Sequence, residues 1–251
     1  MEDENKYEGL EAVTETYEFC TASGRDFATA AKRILDFYLW VPNVVDAMEN
    51  ATKVYYKYEK YAQKPLGPRK STWYEWLDVR RQFLLELLLT RHVDNYLSFL
   101  SAVLFEIFTS RPDTLKSAEQ VSVEEVLSCE DMNGVIRMFA ERKVNRLAYK
   151  SYHDLSMFFN ERLGLQLTSA SDEQVISEAI ELRNISVHNR CKMDRRYVQK
   201  TGRPMSDLGK IRELGTDDYE RYFFPMVRSA RDVDADAAKK FNLAVLSSST
   251  D

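Results

Sequence analysis

Helix breakers are scarce in this chain: its 251 residues include only 8 glycines and 6 prolines. That scarcity excludes a fold of many short strands joined by tight turns and favours long helices. Cysteine is scarcer still. Cys20, Cys129 and Cys191 are odd in number, far apart and form no CxxC pair. Neither a disulfide framework nor a zinc site is expected, only three reduced thiols of a cytosolic protein. No apolar run approaches the roughly 20 residues that span a bilayer. The most apolar, Phe83 to Leu89, is interrupted by Glu86 and followed by Arg91, His92 and Asp94. The start, Met1-Glu-Asp-Glu, is the opposite of the positively charged start of a signal peptide. A soluble, cytoplasmic protein without membrane contact is therefore expected. With no metal-ligand cluster and no Gly-rich phosphate loop, neither metal nor cofactor is expected.

Hydrophobic residues make up 44% and charged residues 30% of the chain, as in ordinary globular proteins. The net charge of −5 argues against general nucleic-acid binding. Its distribution says more than its total. Residues 1–18 hold seven acids against Lys6 alone, whereas residues 183–203 hold seven cations against Asp194 alone. The basic segment can bind a polyanion, or it can pair with the acidic N-terminus of its own or a second chain.

Residues 1–23 read as a weak acidic helix. From Arg25 to about Gln63, Phe27, Ala30, Ala31, Ile34, Leu35 and Tyr38 recur at helical spacing, with a break or kink expected at Pro42. Tyr55, Tyr56, Tyr58 and Tyr61 interleave with Lys53, Lys57 and Lys60, a pattern able to stack RNA bases but more ordinary as a helix packed on a core. Residues 63–70, with two prolines and a glycine, read as a linker. They divide an N-terminal helical extension (1–70) from a helical domain (71–246), with a disordered tail over 247–251.

Thr72 with Glu75 forms a capping-box pattern that opens a helix running to Arg111-Pro112, the spine of the fold. Ser122 with Glu125 opens a short helix. The stretch from Asn133 to Leu163 reads as two helices divided near Tyr149–Ser151, the second closed by Gly164. Ser171 with Gln174 opens a helix from Asp172 to about His188. Residues 200–204 read as a turn, with a short β-hairpin allowed near 199–213. Asp217–Ala230, kinked at Pro225, and Ala235–Leu246 read as two last helices. The fold class is all-α.

On the helix 172–188, rows of every fourth residue stack on one another. One row is Val175, Ala179, Arg183 and Val187; its neighbour is Ile176, Ile180, Asn184 and His188. Both begin apolar, so this face is expected to point into the protein or a partner. Both then turn polar, which costs desolvation unless each polar group has a partner or a use.

The stretch Glu181-Leu-Arg-Asn-Ile-Ser-Val-His-Asn189 resembles the R-x4-6-H signature of HEPN proteins in its RNxxxH form. The resemblance spans about residues 72–225 and extends to the order of helices. It implies a HEPN-like helical bundle that forms a homodimer, with two motif helices meeting at a cleft. Active members of that family are metal-independent ribonucleases of toxin–antitoxin and other defence systems, so an antitoxin or regulatory protein is an implied partner. By the resemblance, His188 is the acid–base group, Arg183 holds the scissile phosphate, and Asn184 orients the histidine or binds phosphate. The implied reaction is attack of the ribose 2′-hydroxyl on the adjacent phosphate, leaving a 2′,3′-cyclic phosphate. Other members serve only as dimerising or RNA-binding modules, and a purely structural use of the three residues stays open. Arg190, Lys192, Arg195 and Arg196 are candidates for contacting an RNA backbone. His92 is expected on a solvated or interhelical face, and His153 either on a first-turn surface or approaching the site.

Overall fold

The computed structural model describes residues 19–57, 73–115 and 122–245. The acidic N-terminus, the tyrosine side chains of 55–61, the linker, the Thr72 capping box and the tail lie outside these described residues. The helices are α1 (Ala22–Lys57), α2 (Trp73–Ser110), α3 (Val123–Leu127), α4 (Met132–Ala148), α5 (Tyr152–Phe158), α6 (Ala170–Asn189), α7 (Arg195–Thr201) and α8 (Thr216–Phe241). Among the described residues there is no strand, and the chain is an all-α bundle. No described helix is long and apolar enough to cross a membrane.

Helix α2 is the spine. It packs against α1, α4, α6 and α8, because its apolar positions leave few sides free. Val93, Tyr96, Val103, Ile107 and Phe108 are fully buried. One contiguous core runs from Phe19 through α1 and α2 to Phe241 and Leu243. The first long helix therefore shares the core of the others.

Helix α1 does not end at Pro42, which lies inside it. Losing one backbone donor costs about 3 kcal/mol in a helix interior. Here Leu39 and Val45 are buried on either side of the proline, and their packing keeps the segment helical. The C-terminal pair of helices is likewise one element, with Pro225 buried inside α8. Asp232, Asp234 and Asp236 interrupt the apolar pattern, yet Val233, Ala237 and Ala238 are buried and so is Asp234.

Asp234 is buried because it has work at the far end of α1. Its carboxylate accepts from the backbone N–H of Cys20 and Thr21 and from the Thr21 hydroxyl. Thr21 in turn accepts from Gly24 N–H at 3.1 Å, as an N-cap does. Glu106 of α2 accepts from Ser23 N–H at 3.0 Å. Two carboxylates thus meet the positive end of the α1 dipole.

The smaller elements follow local signals. Ser122 and Glu125 form the capping box that opens α3. Tyr149–Ser151 separates α4 from α5, with Ser151 capping α5 through Asp154 N–H. Past α5 one π-type turn, Phe159–Leu163, leads to Gly164 with φ 57°. Ser169, not Ser171, caps α6, accepting from Asp172 N–H at 3.2 Å. No hairpin forms near 199–213. Asp194 accepts from Tyr197 N–H at 2.7 Å and opens α7 there instead, and Tyr197 and Val198 are buried. The one pairing in this region is an isolated antiparallel bridge between Lys192 and Ile211.

Candidate functional site

Helix α6 sits over α2 and α8 and turns its Ile176, Ala179, Leu182 and Ile185 side into the core. The buried stripe therefore advances mostly in threes and rotates away from the two rows read from the sequence. Val187 is 51% exposed and His188 is exposed, so both rows emerge into solvent at their ends. Arg183 and Asn184 lie on the half-buried margin. Ion pairs between Asp172 and Arg228 at 3.2 Å and between Glu178 and Arg221 at 2.8 Å fasten α6 to α8.

The guanidinium of Arg183 pairs with Asp94 of α2 at 2.7 Å and donates to Asn184 Oδ1 at 3.2 Å. Its Nε is buried without a hydrogen-bond partner among the described residues. Arg183 and Asn184 line a cleft of about 370 Å³ beside α5, together with Lys150, His153, Arg196 and Lys200. His188 lines a different hollow, of about 270 Å³, with Asn184, Asn189 and Asp194. Asn184, Glu181 and Arg196 border both. Within one chain, then, Arg183 and His188 face separate recesses joined at Asn184. The His188 imidazole makes no hydrogen bond among the described residues.

The end of α6 is tightly determined. Arg190 and Cys191 both adopt left-handed backbone, with φ 52° and 57°, at a cost on the order of 1–3 kcal/mol each for residues other than glycine. Cys191 N–H bonds Ile185 O at 3.0 Å, and Asn189 Nδ2 donates to Lys192 O. Cys191 is buried, its Sγ 3.0 Å from Ser186 Oγ, and burial pushes its thiol up to about 11. The strained pair fixes the direction in which the chain leaves His188.

The basic segment is less free than its sequence reads. Glu181, 5% exposed, holds both Arg196, at 3.3 Å, and Lys200. Arg203 approaches Glu178 and Asp207 at 3.9 and 4.0 Å. With Arg183 on Asp94, four of the seven cations of 183–203 have carboxylate partners. Arg190, Lys192 and Arg195 are exposed and have none among the described residues.

The other histidines part company. His92 is interhelical but not solvated: it is fully buried, stacked on Phe223 at 4.2 Å between centroids, with Nε2 3.3 Å from Phe223 O. Burial lowers its pKa to about 4. His153 is exposed, pairs through Nδ1 with Glu173 at 2.9 Å, and that carboxylate raises its pKa. It lines the Arg183 cleft, so it lies both on a first-turn surface and at the site. Lys150 carried no sequence signal, and Lys200 was read only as one cation of the basic segment, because only the folding of α5 and α7 against α6 brings both to this cleft. Among the described residues no cluster of His, Cys, Asp and Glu is arranged to hold a metal ion. No family model, curated protein or solved structure matches the chain.

Proposed function

We propose that this protein is a HEPN-type endoribonuclease that cleaves RNA without a metal ion, as a homodimer, in a cytoplasmic defence or toxin–antitoxin setting. The observation that carries the reading is the exposed imidazole of His188, without a hydrogen-bond partner among the described residues, one helical turn beyond Asn184, which itself accepts from Arg183. An imidazole free of internal partners can take the proton of a ribose 2′-hydroxyl. The hydroxyl oxygen then bonds to phosphorus, the bond to the 5′ oxygen breaks, and that oxygen receives a proton. A 2′,3′-cyclic phosphate and a 5′-hydroxyl result. Arg183 offsets charge on the phosphorane oxygens, and Asn184 holds the guanidinium or the phosphate.

Because Arg183 and His188 face separate recesses in one chain, a second copy meeting the α6 end brings its own His188 toward the first copy's Arg183. Exposed Val187 supplies apolar surface for that contact. Arg190, Lys192 and Arg195 remain available for the RNA backbone.

A second reading, a non-catalytic adaptor that dimerises and binds RNA or a protein such as an antitoxin, draws support from the Arg183–Asp94 pair, which already satisfies the guanidinium. One experiment separates the two. Purified protein is incubated with mixed RNA, including tRNA and structured messages, in EDTA, beside Arg183→Ala and His188→Ala. Cleavage by wild type alone, with cyclic-phosphate ends, supports the ribonuclease. No cleavage by any of the three leaves the adaptor.

A further inference from the structure

The cleft beside Arg183 has an outer edge that the motif does not explain. Tyr149 closes α4 as its C-cap and is 93% exposed. Its backbone N–H bonds Leu147 O, but its side chain makes no hydrogen bond or ring contact among the described residues. Lys150 follows it, exposed, and His153 stands in the first turn of α5, both lining the cleft. A single exposed aromatic is unremarkable by itself. This one stands next to the edge of a recess in which Lys150, His153, Arg183, Arg196 and Lys200 outnumber the three carboxylates paired with them, Asp94, Glu173 and Glu181. Glu173, which anchors His153, lies fifteen residues before His188 on α6. At 1.5 Å per residue that is about 22 Å, room for several nucleotides rather than one.

An aromatic face beside a cationic groove is the arrangement that holds single strands, since a base can stack only when it has left a duplex. We propose that this cleft is a track for single-stranded RNA leading to the His188 end, with Tyr149 stacking a base and Lys150 and His153 holding a phosphate. This rests on the ribonuclease reading for the choice of RNA, and it gives that reading a substrate class. Glu173 and Glu178 of α6, Asp154 beside it, Lys150 and Lys200 of α7 are the charged groups around His153. Of these side-chain types imidazole alone ordinarily titrates between pH 6 and 8.

The test uses the full chain and a fluorescein-labelled, 2′-O-methyl single-stranded hexanucleotide, which cannot be cleaved, read by fluorescence anisotropy at low salt. Tyr149→Ala is expected to weaken binding about tenfold, the loss of one stacked base. Lys150→Ala is expected to lower the slope of log K against log salt by about one. Wild type binds more tightly at pH 6 than at pH 8, and His153→Gln flattens this dependence. Tyr149 caps α4 with its backbone alone, so its variant folds, and a circular-dichroism melt checks this. Binding unchanged in Tyr149→Ala and His153→Gln, no binding by wild type, or equal binding of a duplex overturns the track. Cleavage of unmodified RNA is followed in parallel. Cleavage with unaltered KM in these variants sinks the track and leaves the ribonuclease; hexanucleotide binding without cleavage sinks the ribonuclease and leaves the track.

Discussion

The guanidinium of Arg183 on α6 pairs with the carboxylate of Asp94 on α2 at 2.7 Å, with about a third or less of either side chain exposed. A pair this open to water contributes roughly 1 kcal/mol or less to stability. Its greater effect is on direction, because it holds the guanidinium toward the cleft. Asp94→Asn is therefore expected to leave the melting temperature nearly unchanged while lowering kcat for RNA by about tenfold. Arg183→Ala is expected to lower kcat by about 10²–10³. Equal kcat in wild type and Asp94→Asn would show that the carboxylate does not orient the arginine.

The His188 imidazole is exposed and makes no hydrogen bond among the described residues. Its replacement by alanine is expected to change unfolding free energy by less than about 0.5 kcal/mol. Cleavage should nevertheless fall by at least about 10². Urea unfolding and single-turnover cleavage of the same preparation measure both. A large loss of stability would return His188 to a structural role.

His92 makes stability depend on acid. Its pKa is lowered to about 4 in the fold from an ordinary 6.5, because burial disfavours the charged ring. The unfolded chain takes up the proton first, so stability is complete above pH 6.5 and declines as pH falls toward 4. The loss is on the order of 3 kcal/mol. In urea unfolding at pH 7.5 and 4.5, His92→Leu is expected to show a smaller difference than wild type. An identical difference would assign the acid sensitivity to other groups.

Asp234 and Gly24 form a matched pair. Asp234→Ala removes the acceptor of Cys20, Thr21 and the Thr21 hydroxyl, at an expected cost of about 2–4 kcal/mol. Gly24→Ala raises helix propensity by about 1 kcal/mol, but its Cβ would overlap the Asp234 carboxylate. The structure therefore predicts that Gly24→Ala destabilises. A more stable variant in thermal unfolding would mean that propensity outweighs the close approach.

Much of this architecture was legible before the fold. The spine helix could be read because an apolar stripe continues for over thirty residues without a glycine or proline. The division at Tyr149–Ser151 and the stop at Gly164 follow from residues adjacent in sequence. What could not be read depends on residues that meet only in space. Nothing near Pro42 or Pro225 says that flanking side chains will be buried deeply enough to keep the helix whole. Asp94 and Arg183 are eighty-nine residues apart, and no local pattern joins them. The rows on α6 placed Arg183 and His188 at one helix end, but the rotation that sends them into separate recesses is set by Leu182 and Ile185 in the core. Asp194 preceded a helix start that a turn-and-hairpin reading of residues 199–213 obscured.

The nearly buried carboxylate of Glu181, shared by Arg196 and Lys200, has a thermodynamic consequence. It acts as a resident counterion that keeps two cations assembled without their mutual repulsion. An incoming polyanion trades one partner for another at these two groups instead of displacing salt ions from bare charges. The number of small ions released on binding should accordingly be fewer than the number of lysines and arginines in contact. Charge neutralisation is the complementary probe: Glu181→Gln frees both cations and should steepen the salt dependence, even though it adds no positive residue.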